Sequence, residues 1–473
     1  MKFIANALSH LREYQSLLCA IGQNNLPAAV TGLSSIHKAN LIYSLWMHTG
    51  RRAFVLVGDE PEANRMVSDL SSQGMHAFYY PMRDMVLHKG EAASSHDYER
   101  QRLQVLSRLQ AGECDAVVCC IDGALQYTIP PDEMKKHTHR IASGDTFAPE
   151  KVEALLLCCG YERAVQVEGP GQFARRGGIL DIFPPESSMP VRLEFWGDEV
   201  DTLSYFDPET QRRTNPAESV YISPAAEALS DDSAALTAKI RRIASSLRGK
   251  NAPAARPVLQ EQADLLEQNV HLTCMDKFLP VLYQKPACLF SYCEKGDLLY
   301  ISELVNVKEK MRTAQFHWNE DLKGYLADGT LCRHLDTYSF AWPDALSFFE
   351  KQGTVFLDTF ARGSYEIPTN LLLNFTARQL SVWGGSTQIL ADDLHEMLNK
   401  KWACAVLAGN ERSAHTTVVD LQAAGINAYY TEDSNEIARG AVAVLPGSLS
   451  AGAEWPGSFF GLVTHGKLLQ NSR

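Results

Sequence analysis

Apolar positions along this chain follow two different rhythms, and the change of rhythm divides it. In residues 1–145 the runs RRAFVLVG (51–58), HAFYYP (76–81) and AVVCCI (116–121) show no polar alternation, the pattern of strands buried on both faces. Between them, EPEANRMVSDLSSQG (60–74), closed by Gly74, and residues 97–109 carry helical spacing. Strand and helix in turn predict a mainly parallel sheet.

Residues 146–225 change character. After a helical stretch, PEKVEALLLCCG (149–160), come RAVQVE, GQFARRG, ILDIFP, VRLEFWG and VDTLSYFD, separated by turn residues such as Gly177-Gly178 and Gly197-Asp198. This predicts a small antiparallel α+β domain. In residues 226–385, positions 230–247 and 259–269 read as helices, VLYQKPACLFSYC (281–293) and KQGTVFLDTF (351–360) as returning strands, and 248–257 as an exposed linker. The stretch is expected to complete the first α/β unit around the β-rich insertion. Residues 386–473 restart a strand–helix rhythm, with ACAVLAGN, NAYYT, AVAVLPG and FFGLVTH as strands, and predict a small flavodoxin-like α/β domain. The chain stops at GKLLQNSR, directly after a buried-type strand, so truncation of a longer protein is the expectation.

Composition narrows the picture. A length of 473 residues calls for roughly three or four domains. With 45% hydrophobic and 21% charged residues the chain reads as globular, and no apolar run approaches the ~20 residues that span a bilayer. Eleven cysteines, without a CxxC pair, read as buried thiols of a cytoplasmic protein, with no metal site expected. The net charge of −12 argues against a tight standalone DNA binder and leaves weak double-stranded DNA contact at most.

Two segments carry candidate chemistry. The strand LPAAV leads into Thr31-Gly32-Leu33-Ser34-Ser35-Ile36-His37-Lys38-Ala39-Asn40. A phosphate loop needs a second glycine, a lysine and a hydroxyl for magnesium; of the set Thr31, Gly32 and Lys38, only the lysine keeps its role, and Ala39 stands where the hydroxyl belongs. Hydrolysis of a nucleotide is not expected here. The second segment is GPGQFARRGGILDIFPPESSMPVRLEFWGDEVDTLSYFDPETQRR (169–213). Strand alternation sends Val191, Leu193 and Phe195 inward and Arg192, Glu194 and Trp196 outward, and Arg175 and Arg176 lie close enough to join the patch. Tryptophan and arginine together are the composition of an interface hot spot.

The blocks QFARRGGILDIFP and PVRLEFWGDEVDTLSYFDPETQR resemble the signature shared by the excision-repair protein UvrB and by the Mfd family of transcription-repair coupling factors. YERQRLQVLSRL and AVVCCIDGALQ fit the same families, and the defective TGLSSIHKAN favours the second. The resemblance implies a degenerate RecA-like, P-loop NTPase-type domain in 1–145, completed by 226–385. It further implies a UvrB-like UvrA-interaction domain in 146–225 and the family's third domain in 386–473. It implies a docking module that recruits UvrA to lesions at stalled RNA polymerase, through Arg176, Arg192 and Trp196, with Arg175 a weaker member. Trp196 stands where the family more often has phenylalanine. RNA polymerase binding, ATP and magnesium use, and DNA translocation would belong to domains beyond residue 473, whose C-terminal part would also mask the UvrA-directed face. No cofactor is expected for this chain itself, and it is not expected to be an enzyme on its own. The alternatives are a UvrB-like ATP-binding damage-loading protein and a non-specific DNA-binding module.

Overall fold

A computed structural model of the chain describes residues 1–88, 97–268, 270, 272–384 and 386–466. Its largest sheet has seven parallel strands, in the order Leu371–Asn374, Ala28–Thr31, Gly353–Asp358, Leu298–Ser302, Ala53–Val57, Ala116–Cys120 and Ala77–Tyr80. Residues from both sides of the β-rich segment therefore build one sheet. The strands are buried along nearly their whole length because helices cover both faces. Local chemistry sets the helix ends. In Glu60–Gln73, Asp59 accepts from the Glu62 N–H at 2.8 Å, Pro61 sits in the first turn, and Gly74 closes the helix at φ +117°.

The β-rich segment forms a six-stranded sheet in the order Arg213–Pro216, Glu199–Phe206, Val191–Trp196, Ile179–Ile182, Gln172–Arg176 and Glu162–Arg163. All neighbours are antiparallel except the last pair. Helix Pro149–Cys158 covers one face, burying Val152 and Leu156 against Phe173, Leu180 and Leu193. The unit starts earlier than its sequence rhythm suggests. Strand His139–Ala142 pairs with Ser219–Ile222, across the expected boundary at 145. Only Ile141 of that strand is buried, and one inward position gives no readable period.

The third sheet is mixed, in the order Arg378–Leu380, Gly452–Trp455, Phe460–Thr464, Ala403–Leu407, Val442–Leu445 and Ala428–Tyr430. Its last four strands are parallel, and its first two are antiparallel additions. Strand Arg378–Leu380 thus belongs to the third unit, not to the first module that was expected to reach 385.

Two other expectations fail. The stretch 248–257 is not a linker: helix Ala252–Glu267 runs through Pro257. A proline this close to a helix start removes little hydrogen bonding, and burial of Ala255 and Leu259 against helix Ser233–Ser246 holds the turn. The stretch 281–293 forms short helical turns, including Leu289–Tyr292, in place of a strand.

Candidate functional site: a docking face and a closed phosphate loop

The six-stranded sheet has a face turned away from helix Pro149–Cys158, and pairing register decides what stands on it. Ala174, Asp181 and Arg192 form one row across three strands, and Arg176, Ile179 and Glu194 form the next. Trp196 stands one step further, at the end of its strand. Gly197, at φ +65°, then turns the chain through a two-residue loop to Glu199. Nothing beyond the turn covers the indole, which is 83% exposed. Val165, 92% exposed, joins the same neighbourhood, because the Arg176 guanidinium donates to its carbonyl at 3.0 Å.

Arg192 departs from the expectation. It shares the face with Trp196, about 13 Å along the strand by residue rise, but it is not a free arm. Its Nε and Nη2 donate to the two oxygens of Asp181 at 2.6 and 2.8 Å, and the guanidinium lies 4.6 Å over the Phe206 ring. Asp181 is buried, and the Arg192 side chain is 15% exposed. The hydrogen bond from Asp181 raises the Arg192 pKa above its ordinary value. Arg192 therefore holds the outer face together, packed over the small cluster of Val167, Ala174, Phe183 and Phe206. Glu194 pairs instead with Arg213 and accepts from Thr202 Oγ1 at 3.2 Å.

Arg175 is a correction as well. Strand alternation turns it to the opposite face, where it donates to Glu153 at 2.7 Å and Glu150 at 2.5 Å of the covering helix. It does not join Arg176 and Trp196. The exposed members of the expected set are thus Arg176 and Trp196, with Arg192 beneath them as a brace.

The phosphate-loop remnant is closed by its surroundings. Thr31 belongs to its strand and donates to Asn374 Oδ1 at 3.0 Å. Gly32 adopts φ +87°, its N–H donates to the Thr359 carbonyl, and a Cβ there would lie 2.1 Å from the Phe375 carbonyl oxygen. This glycine serves close backbone approach and not an anion. Lys38 is buried and turned inward, donating to Glu303 Oε1 at 2.7 Å and Ser302 Oγ at 3.0 Å. Desolvation tends to raise the Glu303 pKa, but the hydrogen bonds from Lys38 and Thr359 outweigh it and hold the carboxyl below its usual range. His37 is sealed beside the loop, edge-on to Trp455 at 4.9 Å, and burial pushes its pKa down to about 4. Sequence reading had no access to Glu303 as the partner. Its one signal was position: an acidic residue directly after a buried strand, at the carboxyl end of a parallel sheet where such sites collect.

Cys119 is buried on its strand, and desolvation pushes its thiol pKa well up, away from nucleophilic use. Among the described residues one group could reach a single metal ion: Glu133, His137 and Asp231, with donor atoms within 4.8 Å. Glu133 and His137 are four apart on one helical turn, a spacing that was readable and overlooked. Lys136 pairs with both carboxylates, and His137 Nε2 meets Asp231 at 2.6 Å, so an ion-pair network already accounts for them. No described helix is long and apolar enough to cross a membrane.

Comparison with known proteins bears on this geometry. Residues 140–227 match the UvrB interaction domain family, whose bounds include the strand pair formed by His139–Ala142 and Ser219–Ile222 almost entire. The chain also aligns with the transcription-repair-coupling factor of Bacillus subtilis (strain 168), at 25% identity over 97% of its own length. Those of Staphylococcus epidermidis and Staphylococcus haemolyticus align at 24% and 22% identity over 99%. The chain resembles transcription-repair-coupling factors from end to end. It spans 40% of the length of each of these relatives.

Proposed function

We propose that the chain is a docking module of a transcription-repair coupling factor and that the outer face of its six-stranded sheet receives UvrA. The carrying observation is Trp196: a large indole, 83% exposed, at the tip of a rigid hairpin inside the segment similar to the UvrB interaction domain. Exposed aromatic anchors beside a guanidinium are what protein interfaces use for affinity. Arg176 supplies that guanidinium, and Arg192 keeps the sheet beneath it ordered. ATP-driven translocation and polymerase release are assigned to regions of the longer relatives that this chain does not span.

The test is capture of purified UvrA on the immobilised chain. Trp196→Ala and Arg176→Glu are expected to cut recovery at least tenfold while the melting temperature stays put. Recovery equal to the parent chain for both would end the proposal. Arg192→Ala is a poor choice, because it strands Asp181 and perturbs the fold itself.

The same reading makes the chain inactive towards nucleotides. Lys38 is neutralised by Glu303, and the loop lacks a magnesium hydroxyl. Titration calorimetry with ATP and magnesium is expected to give no heat of binding; a micromolar, magnesium-dependent isotherm would refute this.

A further inference from the structure

A cavity of about 530 Å³ opens between the long helix Leu304–Asp328, the segment 82–87 and the extended segment 336–341. It lies in the first module, on no strand of the six-stranded sheet, and its size falls in the range of ligand sites. Two properties define what it accepts.

The first is charge against aromatic walls. Trp318 is a fixed wall: its Nε1–H donates to the Asp336 carbonyl at 3.3 Å and its ring stands edge-on to Tyr338 at 5.4 Å. Tyr98, 44% exposed, lines the cavity too. The carboxylates of Asp321 and Asp336 reach the same cavity, and neither pairs with a cation among the described residues. Arg83 in the floor offers no positive charge, since it is buried against Asp276 at 2.6 Å and near Glu99 and Glu227. An anion is repelled here, whereas a guanidinium finds π faces and unpaired carboxylates together.

The second is an open backbone edge. The segment 337–340 is extended, and one edge is satisfied: Tyr127 N–H donates to the Tyr338 carbonyl and Phe340 N–H to the Leu125 carbonyl. Thr337 and Ser339, whose N–H and C=O groups point to the other edge, have no backbone partner among the described residues and both line the cavity. An unpaired extended edge recruits another extended chain.

We propose that this groove binds an extended, arginine-bearing peptide of a partner protein, which adds a strand along Thr337 and Ser339 and sets a guanidinium between Trp318 and the carboxylates of Asp321 and Asp336. The site is separate from the UvrA-directed face, so either reading can fail alone.

The probe is a fluorescein-labelled octapeptide of alternating arginine and alanine, titrated with the full chain and read by anisotropy. Saturable binding is expected, at least tenfold weaker for the Asp321→Asn/Asp336→Asn variant and for a peptide N-methylated at alternate backbone amides, and absent for a glutamate–alanine peptide. Spermine is expected to compete poorly. Unchanged binding to the double variant, full binding of the N-methylated peptide, or displacement by spermine at equal affinity would each overturn the proposal. Should the double variant melt at a lower temperature, Asp321→Lys alone decides, since that side chain is exposed and its reversal is expected to abolish binding.

Discussion

Lys38 and Arg192 are both cations of recognisable motifs, and both are held by a carboxylate within the fold: Glu303 for one and Asp181 for the other. Alternation along a strand could place Arg192 and Trp196 on one face, because side-chain direction has period two. It could not reveal Asp181 as the partner, since that depends on the register of two strands, Asp181 opposite Arg192. The consequences are testable. Arg192→Ala leaves a buried carboxylate without its cation and is expected to cost about 3 kcal/mol in urea unfolding, against under about 0.5 kcal/mol for Trp196→Ala. A reversed order would show that the indole, and not the guanidinium, braces the sheet. Lys38→Met is expected to cost about 2 kcal/mol at neutral pH, below the full cost of a buried pair because Glu303 is partly exposed. Glu303 has a depressed folded-state pKa, so the stability it contributes is complete above the ordinary glutamate value and is lost as pH falls through the depressed one. The gap between parent and Lys38→Met should therefore be widest near pH 7 and narrow below about pH 4. Denaturant midpoints of both chains across that range measure it.

Among the elements, those with unbroken apolar runs were legible and those built by context were not. Ala53–Val57 and Ala116–Cys120 announce themselves because every position is buried. Leu289–Tyr292 and its neighbours carry equally apolar residues, yet a short apolar run does not distinguish a strand from a buried helical turn. Arg175 illustrates the same limit in the site. Its strand was readable, but the helix covering the inner face, whose Glu150 and Glu153 bind it, supplies the reason that it leaves the docking face. These pairs are partly solvated, and solvated pairs are weak. Arg175→Ala is expected to lower stability by under about 1 kcal/mol and to leave UvrA capture at the parent level. A tenfold loss of capture would return Arg175 to the interface and would require the helix to move off the sheet on binding.

At the scale of the whole molecule, the restart of rhythm near residue 386 suggests a separable unit, whereas the packing joins that unit to the first module. Strand Arg378–Leu380 already belongs to the third sheet, and one continuous apolar cluster runs from the first two helices, Lys2–Ser9 and Arg12–Gly22, into Leu407, Leu445, Trp455 and Leu462. Phe3 meets Phe460 at 6.0 Å between ring centroids, and Trp455 packs against both His37 and Phe375. Asp69 accepts from the Ser450 N–H at 2.8 Å and its hydroxyl at 2.6 Å, a polar seal on the same seam. Burial of this kind resembles the inside of a domain more than a contact between mobile ones. Residues 1–375 produced alone would expose Phe3, Leu8, Ile36 and Phe375 together, and each large apolar side chain returned to water forfeits about 1.5–3 kcal/mol. The shortened chain is therefore expected to bind a hydrophobic dye and to melt well below the parent. In the full chain, amides of Lys2–Ser9 and of Phe460–Thr464 should exchange with solvent through one common opening. If those two segments exchange at independent rates, or if residues 1–375 melt like the parent, the seam is a contact between autonomous domains and the third unit is free to swing away from the docking module.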